Sequence, residues 1–411
     1  MRASLFGRAA SLAAGAVVLV SACGLGSSTS SSTSSSQPIV VGISEPLSGD
    51  KSDIGTASDQ GYQVWATVVN NSGGLIGRKI KIIQYDNNSL ADTAVSQYQR
   101  LVTVDKADVL LGPVSSALVI PTSVVAARYN KVFVEGTGGA PAVFSRHFNN
   151  LFFVQPAPIE DSADPLVNWI KSLPASDRPA HAAYPSADDP FATAVIDKVQ
   201  TLAESVPVPT VYKQVYPPTQ TDFTALGAQL KSAGVDMLVQ GSVADQDGIG
   251  AVKSYSQVGF QPKIAYFANG PGSTNTWKSG LENKVEGTMT SLDWLQESPV
   301  PGNATFVKAY LKKYPNKDNL VPSEAAEAYA AGEVLAAAIK ATNSVDNAKI
   351  IKWLHSHEVQ SIEGKFGWDA DGRPTGSEFT LVQWQSNHLN IVWPPNLATN
   401  GAKPTYPKPS W

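Results

Sequence analysis

From Pro38 onward, short runs of β-branched residues alternate with longer stretches in which apolar residues recur at i, i+3 and i+4. That alternation limits the available folds more than anything else in the chain. IVVGIS opens as a strand and GYQVWATVVNNS follows as a helix. KIKIIQYD, ADVLLG, KVFVEG, HAAYP, PTVYKQVY, VDMLVQG and KIAYFANG supply further strands, and TAVSQYQRLVTVD, DFTALGAQLKSAG and IGAVKSYSQVGF lie between them with helical periodicity. Strand and helix at this spacing predict βαβ units and mostly parallel sheets, an α/β fold. At about 150 residues per domain, a chain of 411 residues is long enough for two or three such units.

Composition narrows the functions. Hydrophobic residues make up 43% and charged residues 16%, which supports an ordinary globular core. The formal charge of −4 comes with scattered basic residues, so nothing in the chain argues for a nucleic-acid partner. One cysteine excludes an internal disulfide and a Cys-based zinc cluster, and five histidines without H-x-x-x-H or similar spacing make a metal centre unexpected. No G-x-S-x-G elbow and no S-x-x-K with its companions is present, so the expectation is a protein without catalysis, cofactor or metal.

Residues 1–22 carry Arg2 and Arg8, then the apolar run AASLAAGAVVLV, then Ser21 and Ala22. This is the composition of a secretory signal, and the run of about a dozen apolar residues falls short of the about 20 that a spanning helix needs. The single cysteine, Cys23, follows at once, and after it comes a run of Ser and Thr with too little apolar surface to offset its ordering entropy. Val20-Ser21-Ala22-Cys23 resembles the bacterial lipobox. The resemblance implies cleavage before Cys23, acylation of that residue, and a tether over 23–37; two or more acyl chains give stable anchoring where one is marginal.

In parallel α/β sheets ligands bind beyond the carboxyl ends of strands, which directs attention to the loops there. After VLL comes GPVSSA, whose hydroxyls and unpaired helix-start N–H groups suit a carboxylate, or serve only as an N-cap at Ser115 or Ser116. After VFV comes EGTGGAP, with glycines that allow close backbone approach to a ligand. After MLV comes QGSVADQDG, where Asp245 or Asp247 could meet a ligand cation or could cap a helix.

The segments VGISEPLSGDKSDIG, GYQVW, NNSGGLIGRKIKIIQYDN, ADVLLGPVSSA, TDFTALGAQLKSAGVDMLV and SEAAEAYAAGEVLAAAI occur in this order. Together they resemble the type I periplasmic binding proteins of the leucine/isoleucine/valine-binding family, the receptor subunits of ABC importers. The resemblance runs from Ile39 nearly to the C-terminus. It implies two lobes joined by three crossings: 38–158 plus 290–365, and 159–289 plus 366–411. The lobes would close on a small molecule like a hinged clamp. By position, Ser115, Ser116 and Ala117 fall on the family's first carboxylate loop, Thr137 and Gly139 on its second, and Asp247, with Asp245 as rival, on the acid that takes an ammonium. The sequence departs from the pattern at Gly139, at Ile54 in place of an aromatic, and at Phe191-Ala192 in place of Tyr-Gly. Asp222 matches a family turn and is also placed to cap a helix.

The implied function is an extracytoplasmic, membrane-anchored and monomeric solute receptor that hands an amino acid, branched-chain or otherwise apolar, to an ABC permease. Amides, urea and aromatic acids are the alternative ligands, and a sensor built on the same clamp is the alternative role.

Overall fold

A computed structural model describes residues 37–411, apart from Ser377. The expected signal segment 1–22, the expected lipidation at Cys23 and the expected tether as far as Ser36 lie outside the described residues. Among the described residues the strands form sheets of five, seven and three strands.

The first sheet contains β1 (Ile39–Glu45), β2 (Ile80–Asp86), β3 (Val109–Leu111), β4 (Phe133–Glu135) and β5 (Leu151–Phe153), in the order β2-β1-β3-β4-β5 with every pairing parallel. Its crossovers are α1 (Ser52–Asn71), α2 (Ala91–Thr103), α3 (Ser116–Arg128) and the short α4 (Pro141–Phe144). After α5 (Asp164–Ser172), the second sheet is built from β6 (Ala182–Ala187), β7 (Thr210–Tyr216), β8 (Met237–Gln240), β9 (Ile264–Phe267) and β10 (Thr288–Leu292). The helices α6 (Pro190–Ser205), α7 (Thr224–Ser232), α8 (Asp245–Gln257) and α9 (Thr274–Leu281) connect these strands. Three further helices follow: α10 (Asn303–Lys313), α11 (Ser323–Thr342) and α12 (Asn347–Leu354). A small antiparallel sheet, β11 (Val359–Ser361), β12 (Gly364–Trp368) and β13 (Pro374–Thr375), precedes β14 (Thr380–Gln385) and β15 (His388–Trp393), which extend the second sheet antiparallel beside β10.

The fold is therefore α/β, with two mostly parallel sheets flanked by helices, as the alternation predicts. Both sheets have a topological switch, between β1 and β3 in the first and between β6 and β8 in the second, and crevices form at such points. Two of the expected crossings fall inside strands. β10 stays hydrogen-bonded to the second sheet as far as Leu292, past residue 289. β12 spans residue 365, and its Phe366 and Trp368 belong to the same apolar core as β1 and α1. Neither strand is interrupted by a turn residue at that point, so local sequence carries no mark of the boundary.

One packing contact positions much of the site. α11 is rich in alanine, a strong helix former, and is buried on nearly all sides against α1. A Cβ on Gly61 would lie 2.1 Å from the Ala325 carbonyl oxygen, and one on Gly332 would lie 2.4 Å from the Trp65 ring. Only glycine permits this approach, which fixes the N-terminal end of α11 at the edge of the crevice.

Candidate ligand-binding cleft

The loops after β3 and β4 are held rigidly by buried polar groups. Glu45, at the end of β1, accepts from Ser58 Oγ at 2.8 Å and from the Val114 N–H at 3.0 Å. Glu135, at the end of β4, accepts from the Gly138 N–H at 2.6 Å and the Thr137 N–H at 3.1 Å. Burial pushes Glu45 well above the usual carboxylate range and Glu135 up to about 8, against the lowering effect of these bonds. Tyr62 and Tyr98 donate their hydroxyls to the carbonyls of Gly112 and Leu111 at 2.9 and 2.6 Å. The two loops are thereby set before any ligand arrives.

They face an inner chamber of about 70 Å³ between the two sheets. Its walls include Ser115, Thr137, Gln155 and Ser162, whose Ser115 Oγ, Thr137 Oγ1, Gln155 Oε1 and Ser162 Oγ are buried and have no hydrogen-bond partner among the described residues. Ser115 stands at the N-cap position of α3 yet makes no capping bond with its side chain. Gln155 donates its amide to the Gly136 carbonyl at 2.8 Å, which leaves its oxygen for the chamber. Buried polar atoms are normally satisfied, so several orphans around one void mark a place where a bound molecule supplies the partners. Ile54, Phe191 and Phe379 form apolar wall, and Asp293, Glu324 and Glu327 line the remaining side. Glu324 accepts from Ser273 Oγ at 2.6 Å.

A larger outer cavity of about 600 Å³ lies at the mouth, lined on the α1 side by Asp50 and Asp53 and on the α8 side by Asp245 and Asp247. One hydrogen bond crosses it, from the Gln246 N–H to Asp53 Oδ2 at 3.3 Å. Asp247 accepts from the Val243 N–H at 3.2 Å, and burial pushes it up to about 8. Asp245 is likewise pushed well above its ordinary range by burial and by the neighbouring charge of Glu324.

Of the residues singled out from sequence, Ile54, Ser115, Thr137 and Phe191 meet around the inner chamber, whereas Asp245 and Asp247 line the outer cavity. Ser116 spends its hydroxyl on the Ala140 N–H at 3.1 Å, and Ala117 is half-buried in the first turn of α3. A Cβ on Gly139 would lie 2.2 Å from the Phe153 ring, so close packing accounts for the glycine. Asp222 accepts from the Thr224 N–H at 2.8 Å at the start of α7. Sequence reading misses Gln155, Asn269 and Asp293, which follow β5, β9 and β10, although looking just past each strand end reaches all three. It also misses Glu324 and Glu327, which sit in an alanine-rich segment that reads as plain core. Among the described residues no group of His, Cys, Asp and Glu is placed to hold a metal ion, and no helix is long and apolar enough to cross a membrane.

A family model described as Periplasmic binding protein matches residues 38–388. The chain belongs to that family. Similar relatives include Leu/Ile/Val-binding protein homolog 7 of Brucella melitensis, 24% identical over 378 residues that cover 87% of this chain and 92% of the relative. An amino acid binding protein of Pseudomonas aeruginosa is 24% identical over 359 residues, covering 86% and 92%. Among solved structures, the solute-binding protein of an ABC transporter from R. palustris in complex with benzoate superposes with a TM-score of 0.76 at 18% identity, covering 90% of this chain and 98% of that one. The branched-chain amino acid transporter substrate-binding protein of Streptococcus pneumoniae in complex with isoleucine gives 0.75 at 18%, covering 86% and 98%. The two-lobed type I periplasmic binding protein fold is thus shared, and the family's role is to bind a solute rather than to transform it.

Proposed function

We propose that this chain is the extracytoplasmic receptor of an ABC importer. It captures a small solute of amino-acid type between its lobes and passes it to a permease, as a monomer anchored through lipidated Cys23. The observation that carries this reading is the set of orphaned hydroxyl and amide oxygens around a chamber between the two sheets. A ligand carboxylate would sit at the first turn of α3, where the Ser115, Ser116 and Ala117 N–H groups end the helix, with Thr137 and Gly139 on the neighbouring loop. Its ammonium would face the acids across the cleft. A molecule bonded to both lobes stabilises the closed arrangement only while it is present. The relatives that bind isoleucine and benzoate, both acids, support a ligand of this size class.

Mass spectrometry of small molecules released from freshly purified protein tests the reading, together with thermal melting against amino acids, amides, urea and aromatic acids. A true ligand at about 100 times its Kd adds roughly 2.7 kcal/mol of stability. A protein that releases nothing and shows no shift across the whole panel would contradict it.

A further inference from the structure

The chamber has an excess of acid that a neutral amino acid does not explain. Asp293, Glu324 and Glu327 line it, and among the described residues neither it nor the outer cavity is lined by a Lys, Arg or His. Lys51, close by, is already paired with Asp50 at 3.2 Å. A zwitterion such as leucine brings one ammonium together with a carboxylate of its own, so it adds no net positive charge to a wall of three carboxyl groups.

A second, independent observation comes from the opposite wall. Ser115, Gln155 and Ser162 are each only 4% exposed, and each turns an unpartnered oxygen into the chamber. Gln155 Oε1 can only accept and so calls for one donor on the ligand, whereas the Ser115 and Ser162 hydroxyls can donate or accept. At about 30 Å³ per water in the liquid, a chamber of about 70 Å³ holds roughly two waters, so it admits only a short molecule. A metal ion is the wrong kind of cation, because no group of acidic side chains among the described residues is arranged to hold one. An aromatic or fatty acid would place its carboxylate at the first turn of α3 and leave the acidic wall without a cation.

Resting on the solute-receptor reading above, we propose that the ligand is a short aliphatic molecule carrying two amino groups, one of which lies against Asp293, Glu324 and Glu327. Unlike charges in close contact within partly solvated protein attract strongly enough to decide between a cation and a neutral side chain of similar size. While the chamber is empty, burial raises Asp293 to about 6 and holds Glu324 and Glu327 above the usual carboxylate range, and an entering cation favours their ionised forms.

The test is calorimetric titration of the detergent-solubilised full-length protein with 2,3-diaminopropionate, 1,3-diaminopropane, leucine, propionamide and benzoate. The expected result is that a diamino compound binds at least 100-fold more tightly than leucine. If 1,3-diaminopropane matches 2,3-diaminopropionate the ligand class is the diamine, and if it binds more weakly the class is the diamino acid. Tightest binding of leucine, propionamide or benzoate would overturn the inference while leaving the receptor reading in place, and silence across the panel would overturn both. In Glu324→Gln and Asp293→Asn proteins that melt cooperatively, the diamino compound is expected to lose at least 10-fold in affinity and leucine to lose none. Unchanged affinity for the diamino compound in both variants would also overturn the inference.

Discussion

The inner chamber and the outer cavity are lined by similar numbers of acids but are built differently. In the outer cavity some acid oxygens are engaged with backbone, Asp53 with the Gln246 N–H across the cleft and Asp247 with the Val243 N–H within its own loop, while Asp245 Oδ1, Asp247 Oδ1 and Asn275 Oδ1 stay unpartnered among the described residues. In the inner chamber the hydroxyls of Ser115, Thr137 and Ser162 and the oxygen of Gln155 have no partner among the described residues. The outer set organises the closed arrangement, and the inner set waits for a guest. Acidic residues alone would not have separated the two; orphaned hydroxyls do, since among the described residues they line the inner chamber and not the outer cavity.

The largest expected effect comes from protons at the mouth. Asp247 is pushed up to about 8 by burial, against about 3.9 in an unfolded chain. Between those values the folded protein binds the extra proton, so the stability from this group is complete below about pH 4 and is lost as pH rises through about 8. For the ligand-free protein this amounts to on the order of 3 kcal/mol between about pH 5 and 8, at roughly 1.4 kcal/mol per pH unit. Denaturant titrations at the two pH values measure it, and Asp247→Asn lowers the difference by that amount, the remainder coming from groups such as Glu135, which burial also pushes up to about 8. A slope left unchanged by the substitution would contradict this assignment to Asp247.

Next in size is the contrast between the cavities in binding. Removing both Ser115 and Thr137 hydroxyls, as Ser115→Ala with Thr137→Val, takes away two hydrogen bonds worth about 1 kcal/mol or somewhat more each. The natural ligand should then bind roughly 30- to 150-fold more weakly by calorimetry. Asp247→Asn, measured alongside at pH 7, should change affinity by no more than about fivefold. The reverse ranking would move the binding site to the mouth.

The smallest effect concerns closure. Asp53→Ala removes the bond to Gln246 that crosses the outer cavity, a partly solvated contact worth about 1 kcal/mol. It should weaken ligand binding about fivefold through faster release, visible in stopped-flow dissociation, with the melting temperature of the empty protein nearly unchanged.

Much of this was legible in the sequence. The strand runs IVVGIS, KIKIIQYD and VDMLVQG became β1, β2 and β8 because β-branched residues flanked by helical periodicity leave few alternatives. The loops carrying Ser115 and Thr137 were found because glycine and hydroxyl residues follow a strand directly. What stayed hidden depends on tertiary placement. Ser116 lies beside Ser115 in sequence, yet it turns its hydroxyl to the Ala140 N–H 24 residues away. Glu324 and Glu327 reach the chamber only because Gly61 and Gly332 let α11 settle against α1, a contact between segments far apart in the chain. No local pattern distinguishes a carboxylate carried into a cleft in this way from one at the solvent face of an ordinary helix.

The most direct test of the central claim is a crystal structure of the protein carrying the solute with which it is purified. The account predicts ligand density in the inner chamber, within hydrogen-bond distance of Ser115 Oγ, Thr137 Oγ1 and Gln155 Oε1. Density confined to the outer cavity among Asp50, Asp53 and Asp247, with those three oxygens still unpartnered, would contradict it.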